Sequence, residues 1–135
     1  MSQHRIIQPE GWAAPSGYAN AVSAAGRVVH VAGQTGWNPV TREFEAHDMV
    51  GQVRQALENV AAVLAAAGAS PEHLVRLTWY VVARKEYEGR RREIGEAYRA
   101  VIGRHYPAMS LVIVAGLLEP LALVEIEATA VIPDA

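Results

Sequence analysis

Hydrophobic and polar positions follow two different periods along the chain, and the changes of period mark its predicted elements. Near the start, two short apolar stretches flank Ala25-Gly26, which predicts a β-hairpin over residues 22–33 with residues 27–32 as its second strand. The segment 33–39, which contains two glycines and a proline, then predicts an irregular loop. The chain is therefore expected to begin with strands rather than with a helix.

Two segments have apolar residues at helical spacing, three and four positions apart. The first begins near Asp48 and is expected to end at a left-handed Gly68, with the apolar stripe Val50, Val53, Leu57, Val60 and Leu64. The second covers about 86–103 and is expected to turn to the core Tyr87, Ile94, Tyr98, Val101 and Ile102. Each predicted helix has one apolar face that another element must cover.

Three later segments have the composition or alternation of strands. Residues 74–82 are rich in β-branched and aromatic types, and residues 110–115 are predicted to form a short buried strand. Residues 122–132 alternate cleanly, and one face of that strand carries Val124, Ile126, Ala128, Ala130 and Ile132. Its other face carries Leu123, Glu125, Glu127, Thr129 and Val131.

The order of these elements predicts an α+β fold, a single domain over residues 1–135 in which two helices pack on one face of a mixed β-sheet. The opposite face of the sheet still carries valine, leucine and tryptophan residues. A chain of this size has too few residues to cover both faces. We therefore expect the second face to meet other subunits.

Composition and charge exclude several classes of function. A net charge of −2 and a pI near 6.2 provide no basic track for nucleic acid. The basic run 90–92 is interleaved with glutamates, which indicates a solvated helix face. The chain has no cysteine, and its five histidines are scattered, so no metal site is expected. The polar N-terminus and interrupted apolar runs predict a cytoplasmic protein without a membrane partner.

Two carboxylates, Glu125 and Glu127, stand out because the strand around them is otherwise apolar. Such residues either lie on a solvent face or line a cavity. A carboxylate in a partly dry pocket can orient water and move protons, which suits hydrolysis of a C=N bond. The pattern by itself leaves both interpretations open.

Five segments in order along the chain resemble the RidA/YjgF family. Residues 26–34 (GRVVHVAGQ) are similar to its strand ending in Ser-Gly-Gln, and residues 55–60 (QALENV) with 64–68 (LAAAG) are similar to its first helix. Residues 107–110 (PAMS) and 123–130 (LVEIEATA) resemble its last two strands. The resemblance implies a chorismate-mutase-like fold assembled as a homotrimer, with small-molecule pockets between subunits.

The archetypal members hydrolyse enamines and imines such as 2-aminoacrylate to 2-oxo acids and ammonia, with no metal or organic cofactor. By this resemblance Glu125 positions the attacking water as the catalytic residue. Tyr18 is the pocket tyrosine, and the substrate-binding positions in the matched motifs are Gln34, Met109 and Ser110. The archetypal arginine that grips the substrate carboxylate falls on Met109, the serine before Gly-Gln falls on Ala32, and a pocket asparagine falls on Gly95.

These departures predict a pocket without its usual anion clamp and a substrate that lacks an α-carboxylate. Trp37 is either an aromatic wall of that pocket or a loop residue packed at an interface. Arg104 and His105, just before the altered motif, either replace the lost charge or are solvated. Two functions remain open: an imine or enamine hydrolase, and a non-catalytic trimer that binds an apolar small molecule. The acidic pI argues against the ribonuclease activity sometimes attached to this family.

Overall fold

The computed structural model describes residues 4–134 and contains six strands and three α-helices in that range. The strands are β1 (Arg5–Ile7), β2 (Ala21–Ser23), β3 (Arg27–Thr35), β4 (Leu74–Val81), β5 (Ala108–Ile113) and β6 (Val124–Ile132). The helices are α1 (Met49–Ala66), α2 (Arg84–Gly89) and α3 (Arg91–Val101), and a 3₁₀ turn at Pro71–His73 precedes β4. None of the described helices is long and apolar enough to cross a membrane.

The main sheet has the strand order β3-β6-β4-β5 and is mixed. Strand β6 is antiparallel to both β3 and β4, whereas β4 and β5 are parallel. Parallel neighbours need a crossover connection, and α2 and α3 provide it. Helix α1 packs on β3 and β6, α3 packs on α1, and Tyr98 of α3 lies against Trp79 of β4. Two main helices thus cover one face of the sheet, as expected for this α+β arrangement.

Helix α1 confirms the first helical pattern at both ends. The Asp48 side chain accepts a hydrogen bond from the Gly51 N–H and caps the N-terminus. At the other end Gly68 has a φ of 80°, the left-handed conformation that glycine adopts without a Cβ penalty. The buried stripe also contains two polar residues that the apolar pattern did not reveal, Gln52 and Asn59.

The predicted hairpin over residues 22–33 is wrong in its pairing. Strand β2 pairs with β1 in a separate two-stranded sheet, and β3 pairs with β6 instead. The alternating strand β6 provides a longer ladder of hydrogen bonds and a buried face, which a three-residue partner cannot match. The close approach of Gly26 to the Ile132 carbonyl, where a Cβ would collide, marks the point at which this ladder begins.

The predicted helix over 86–103 is two helices. The chain breaks at Arg90, whose φ of −124° and ψ of 19° are not helical, so α2 ends at Gly89 and α3 begins at Arg91. Gly89 weakens the helix at this point because it carries a high entropic cost in a helix. The break leaves α3 with its own buried face, formed by Ile94, Ala97 and Tyr98.

Strand β5 is shifted and more exposed than predicted. It covers Ala108–Ile113 rather than 110–115, and Leu111, Val112 and Ile113 are between 38 and 45% exposed. The reason is topological, since β5 is the edge strand next to β4, and on its other side Ala19 bridges only its first residue, Ala108, within the described chain. In the described chain the face of the sheet away from the helices also stays uncovered, and its rows include Arg76, Thr78, Tyr80, Glu125 and Glu127.

Candidate functional site

A β-bulge in β3 shapes the outer face of the sheet. Val31 lies opposite Ala128 and Gln34 lies opposite Ile126, so two residues of β3, Ala32 and Gly33, face the one residue Glu127. The strand continues through this bulge to Thr35, which corrects the predicted loop at 33–39. Bulges re-aim side chains and are common beside active sites.

The Glu125 carboxylate lies directly against Gly33 of the bulge. A Cβ on residue 33 would overlap Oε2 of Glu125, so any other residue there would displace the carboxylate from this position. Within residues 4–134 the Glu125 side chain has no hydrogen-bond or ion-pair partner, although it is half-buried. Its oxygens are therefore available to a ligand or a water molecule.

Glu127, two residues further along β6, is engaged differently. Its Oε1 accepts a hydrogen bond of 2.7 Å from the Tyr80 hydroxyl. This bond to the carboxylate raises the pKa of Tyr80, and burial and the charges of Glu127 and Glu125 act in the same direction. The two carboxylates that the sequence could not tell apart are thus distinct, because Glu127 has a partner and Glu125 does not.

A cleft of about 490 Å³ opens on the other side of the sheet, and we call it the α3 cleft. It brings together three of the positions taken from the family resemblance: Tyr18, Gly95 and Met109. The Tyr18 segment is held there because the next residue, Ala19, donates its N–H to the Pro107 carbonyl at 3.0 Å. The other lining residues are Ser16, Gly17, Trp79, Tyr87, Arg91, Ile94, Tyr98, Arg99, Tyr106 and Leu111.

Stacked aromatic rings form one wall of the α3 cleft. The Trp79 and Tyr98 ring centroids are 6.3 Å apart, and those of Tyr98 and Tyr106 are 5.4 Å apart with nearly parallel planes. The Tyr98 hydroxyl donates a 2.6 Å hydrogen bond to the His105 carbonyl, while the His105 ring lies 2.8 Å from the Leu74 carbonyl. His105 is therefore a structural residue and does not line the cleft.

The buried phenol of Tyr98 predicts a loss of stability in alkali. Burial raises the pKa of Tyr98 well above the 10.0 of a free tyrosine, and the neighbouring Tyr106 adds to the effect. The folded chain holds this proton more tightly than the unfolded chain, so the contribution is complete below pH 10 and is lost as the pH rises towards the folded pKa. We expect the free energy of unfolding, measured by chemical denaturation, to fall between about pH 8 and about pH 11. This fall should be smaller for Tyr98→Phe than for the unchanged protein. An equal loss in the two proteins would show that Tyr98 does not contribute.

The sequence analysis did not identify two arginines of the cleft, Arg91 and Arg99, as candidate site residues. Residues 90–92 were expected to be solvated, and Arg90 and Arg92 do pair with glutamates of α3. Arg91 instead lines the α3 cleft together with Arg99. The available signal was the spacing of 91, 95 and 99, which puts all three positions on one face of a helix.

Arg91 also acts on a neighbouring phenol in the cleft. Burial raises the pKa of Tyr87, and the Arg91 guanidinium opposes that rise. The positive charge of Arg91 therefore acts on a residue of the cleft wall, although the Arg91 side chain is exposed.

The other predicted substrate-binding residues lie outside the α3 cleft. Trp37 packs on Phe44 with ring centroids 6.1 Å apart, and the Trp37 carbonyl accepts a hydrogen bond from buried Asn59. The Gln34 amide donates to the Ala32 carbonyl within the bulge. Ser110 accepts a hydrogen bond from Arg76 on the outer face. In this chain Trp37 is thus packed within its own loop.

The candidate residues consequently form two groups on opposite faces of the sheet. Met109 pairs with Leu77 of β4, which is buried under the helices, so Met109 faces the helix side. Glu125 pairs with Tyr80 on the outer side. One subunit therefore does not bring Glu125 and the α3 cleft into a single pocket.

Comparison with known proteins gives consistent matches over most of the chain. The family described as Endoribonuclease L-PSP matches residues 10–132. The Rid-family protein YyfB of Yersinia pestis, a solved structure, is 36% identical with a TM-score of 0.83, and the match covers 96% of this chain and 98% of that one. A RutC family protein of Haemophilus influenzae is 37% identical over 94% of this chain and 96% of its own length.

A further similar structure is that of Escherichia coli TdcF with bound serine. It is 32% identical to this chain with a TM-score of 0.68, and the match covers 95% of this chain and 98% of TdcF. TdcF is named as a reactive intermediate deaminase, so the relatives of this chain include deaminases. Because the match covers nearly all of its residues, the chain belongs to the Endoribonuclease L-PSP family, together with the RutC and Rid proteins.

Proposed function

We propose that the protein is a cytoplasmic, RidA-like hydrolase that acts on an imine, an enamine or a related labile C–N compound. The observation that carries this proposal is the free carboxylate of Glu125, half-buried against the Gly33 bulge with no partner in residues 4–134. A carboxylate held in this way can orient one water molecule and accept its proton. The proposal needs no metal and no organic cofactor.

The reaction proceeds by addition of water to the C=N bond. Glu125 takes a proton from the water while the water oxygen bonds to the imine carbon, and the C=N π electrons move to nitrogen. The nitrogen then receives two protons, the one held by Glu125 and the one from the hydroxyl group of the tetrahedral adduct, so that the C–N bond breaks, ammonia leaves and a carbonyl remains. Glu125 returns the proton that it took, so the carboxylate is regenerated and the atoms balance.

The proposed pocket lies between subunits of a homotrimer. The uncovered outer face holds Glu125, and the α3 cleft holds Tyr18 and Met109 on the other face. The two can join only if the cleft of one subunit meets the outer face of another. Light scattering is expected to give three times the 14.6 kDa chain mass, and a monomer at assay concentration would contradict this arrangement.

The nature of the relatives supports a small amino-acid-like substrate. TdcF is named as a deaminase and its structure holds serine, which carries both an amino and a carboxylate group. The expectation of a substrate without an α-carboxylate rests mainly on Met109, with the small residues Ala32 and Gly95 as further departures. Since Arg91 and Arg99 line the same cleft as Met109, that expectation loses its main physical support.

The function is tested with imines generated in the cuvette. An amino-acid oxidase and an amine oxidase produce imines with and without a carboxylate, catalase removes peroxide, and semicarbazide traps the imine that remains. The protein is expected to lower the trapped fraction of at least one imine below the level reached without it. No acceleration of any imine by the assembled protein would overturn the proposal.

A binding protein without turnover is the second candidate. It is favoured by the aromatic wall of the α3 cleft, which within one subunit contains no carboxylate to act as a base. This candidate predicts ligand binding without acceleration of any imine, and without an effect of Glu125→Gln on affinity.

A further inference from the structure

The electrostatic character of the α3 cleft is one-sided. Among the described residues of one subunit its lining contains two arginines, Arg91 and Arg99, and no aspartate or glutamate. The whole chain carries a net charge of −2, so the cleft has a local positive charge on a protein that is negative overall. A concave site with cations and no acids attracts an anion.

These two arginines differ from their neighbours on the same segment. Arg84, Arg90 and Arg92 each lie within 4.0 Å of a glutamate one helical turn away. Within residues 4–134, neither Arg91 nor Arg99 has such a partner. Of the five arginines in residues 84–99, the two that line the cleft are therefore the ones without a glutamate partner in the described part of one subunit, and they are available to a ligand.

Gly95 explains how Arg99 reaches the cleft. It lies one turn before Arg99, and a Cβ at position 95 would be 3.2 Å from Arg99 Nη1. The Arg99 guanidinium therefore rests over the glycine, as expected for a helical side chain that leans towards the N-terminus. A side chain at position 95 would displace the guanidinium, and Met109 contributes an apolar surface to the same lining.

The rest of the lining is suited to an aromatic group. Five rings border the cleft, those of Tyr18, Trp79, Tyr87, Tyr98 and Tyr106. Trp79 is 4% exposed as a residue, and its Nε1–H is buried without an acceptor in the described residues. Trp79 and Tyr98 are buried and stack on each other, so the rings that can stack with a planar ligand are those of Tyr18, Tyr87 and Tyr106.

We propose that Arg99, supported by the positive charge of Arg91 two turns away in the same cleft, binds the carboxylate of a substrate with an aromatic side chain. This contact would replace that of the archetypal arginine, whose position Met109 occupies. The substrate class is the imine of an aromatic amino acid, which water converts to an arylpyruvate and ammonia. The substrate carboxylate would accept charge-assisted hydrogen bonds from a guanidinium group, whose forked N–H groups match the geometry of a carboxylate. The assignment of this substrate rests on the proposed function, whereas anion binding by the two arginines does not.

Binding is tested by calorimetry on the assembled protein at low salt. The probes are phenylpyruvate and phenylacetone, which differ by a carboxylate in place of a methyl group. Phenylpyruvate is expected to bind roughly tenfold or more tightly than phenylacetone, the effect of one charge-assisted contact. In the double variant Arg91→Gln/Arg99→Gln the preference should fall to about twofold or less. Arg92→Gln, which changes an arginine paired outside the cleft, should keep it.

The results separate this inference from the proposed function. Equal affinity for the two probes, or a preference that survives the double substitution, overturns the arginine pair even if imines are hydrolysed. A preference lost only in the double variant supports the pair even if no imine is hydrolysed. Turnover then assigns the substrate: phenylalanine imine should be hydrolysed faster than the imine of phenethylamine, and the reverse order would overturn the carboxylate-bearing class.

Discussion

Replacing Glu125 by glutamine is expected to reduce imine hydrolysis by at least about 100-fold, the lower end of what a general base contributes. Glutamine has nearly the same shape and still fits against Gly33, but it cannot accept a proton from water. The fold should be unchanged, because the Glu125 side chain has no partner to lose within residues 4–134. The measurement is the rate of 2-oxo acid formation from an enzymatically generated imine.

The matched control for this substitution is Glu127→Gln. Glu127 lies two residues away on the same face of β6 and accepts its hydrogen bond from Tyr80, which a glutamine carbonyl can also accept. We expect the control to keep most of the activity. Equal losses in the two variants would mean that the outer face needs its negative charge in general, and Glu125 would then have no individual role as the base.

Replacing Gln52 by leucine is expected to destabilise the protein by about 2–4 kcal/mol, because buried polar groups would lose their partners. The Gln52 side chain is 1% exposed and makes three hydrogen bonds to the backbone. Its amide donates to the Ala46 and Leu121 carbonyls at 3.2 and 3.0 Å, and its carbonyl accepts from the Leu123 N–H at 2.7 Å. Leucine fills similar space but satisfies none of these groups.

Chemical denaturation followed by far-ultraviolet circular dichroism measures this loss. Glu58→Gln on the exposed side of the same helix serves as the control, and it should change the free energy of unfolding by less than about 0.5 kcal/mol. Because Gln52 anchors the residues that lead into β6, we also expect its loss to disturb the position of Glu125. A stability of Gln52→Leu equal to that of the control would contradict this role.

Local patterns predicted the elements that local physics controls. The stripe of α1 and its end at Gly68 were evident from spacing, and so was the alternation of β6. These features depend on periods of the chain itself, since a helix and a strand each expose one face to the core. The break at Arg90 was missed because it depends on the conformation of one residue between two helical patterns.

Pairing between strands was less accessible to sequence reasoning. The segment 22–33 contained a turn signal, but β3 found its partner in β6 near the other end of the chain. Such a choice depends on which strand offers the longest ladder and the best-covered face, which neighbouring residues do not encode. The same holds for β5, whose exposure follows from its place at the sheet edge.

The sequence by itself determined the α+β class, the family and the residue types at the matched positions, including methionine at 109 and glutamate at 125. Only the tertiary structure decided which side chains are free to act. In the structure Glu127 accepts a hydrogen bond from Tyr80, whereas Glu125 lies beside Gly33 without a partner in the described residues. Arg91 and Arg99 line one cleft with Met109. The physical reason is that availability depends on contacts between residues distant in sequence, whereas periodicity reports only which face of an element each residue occupies.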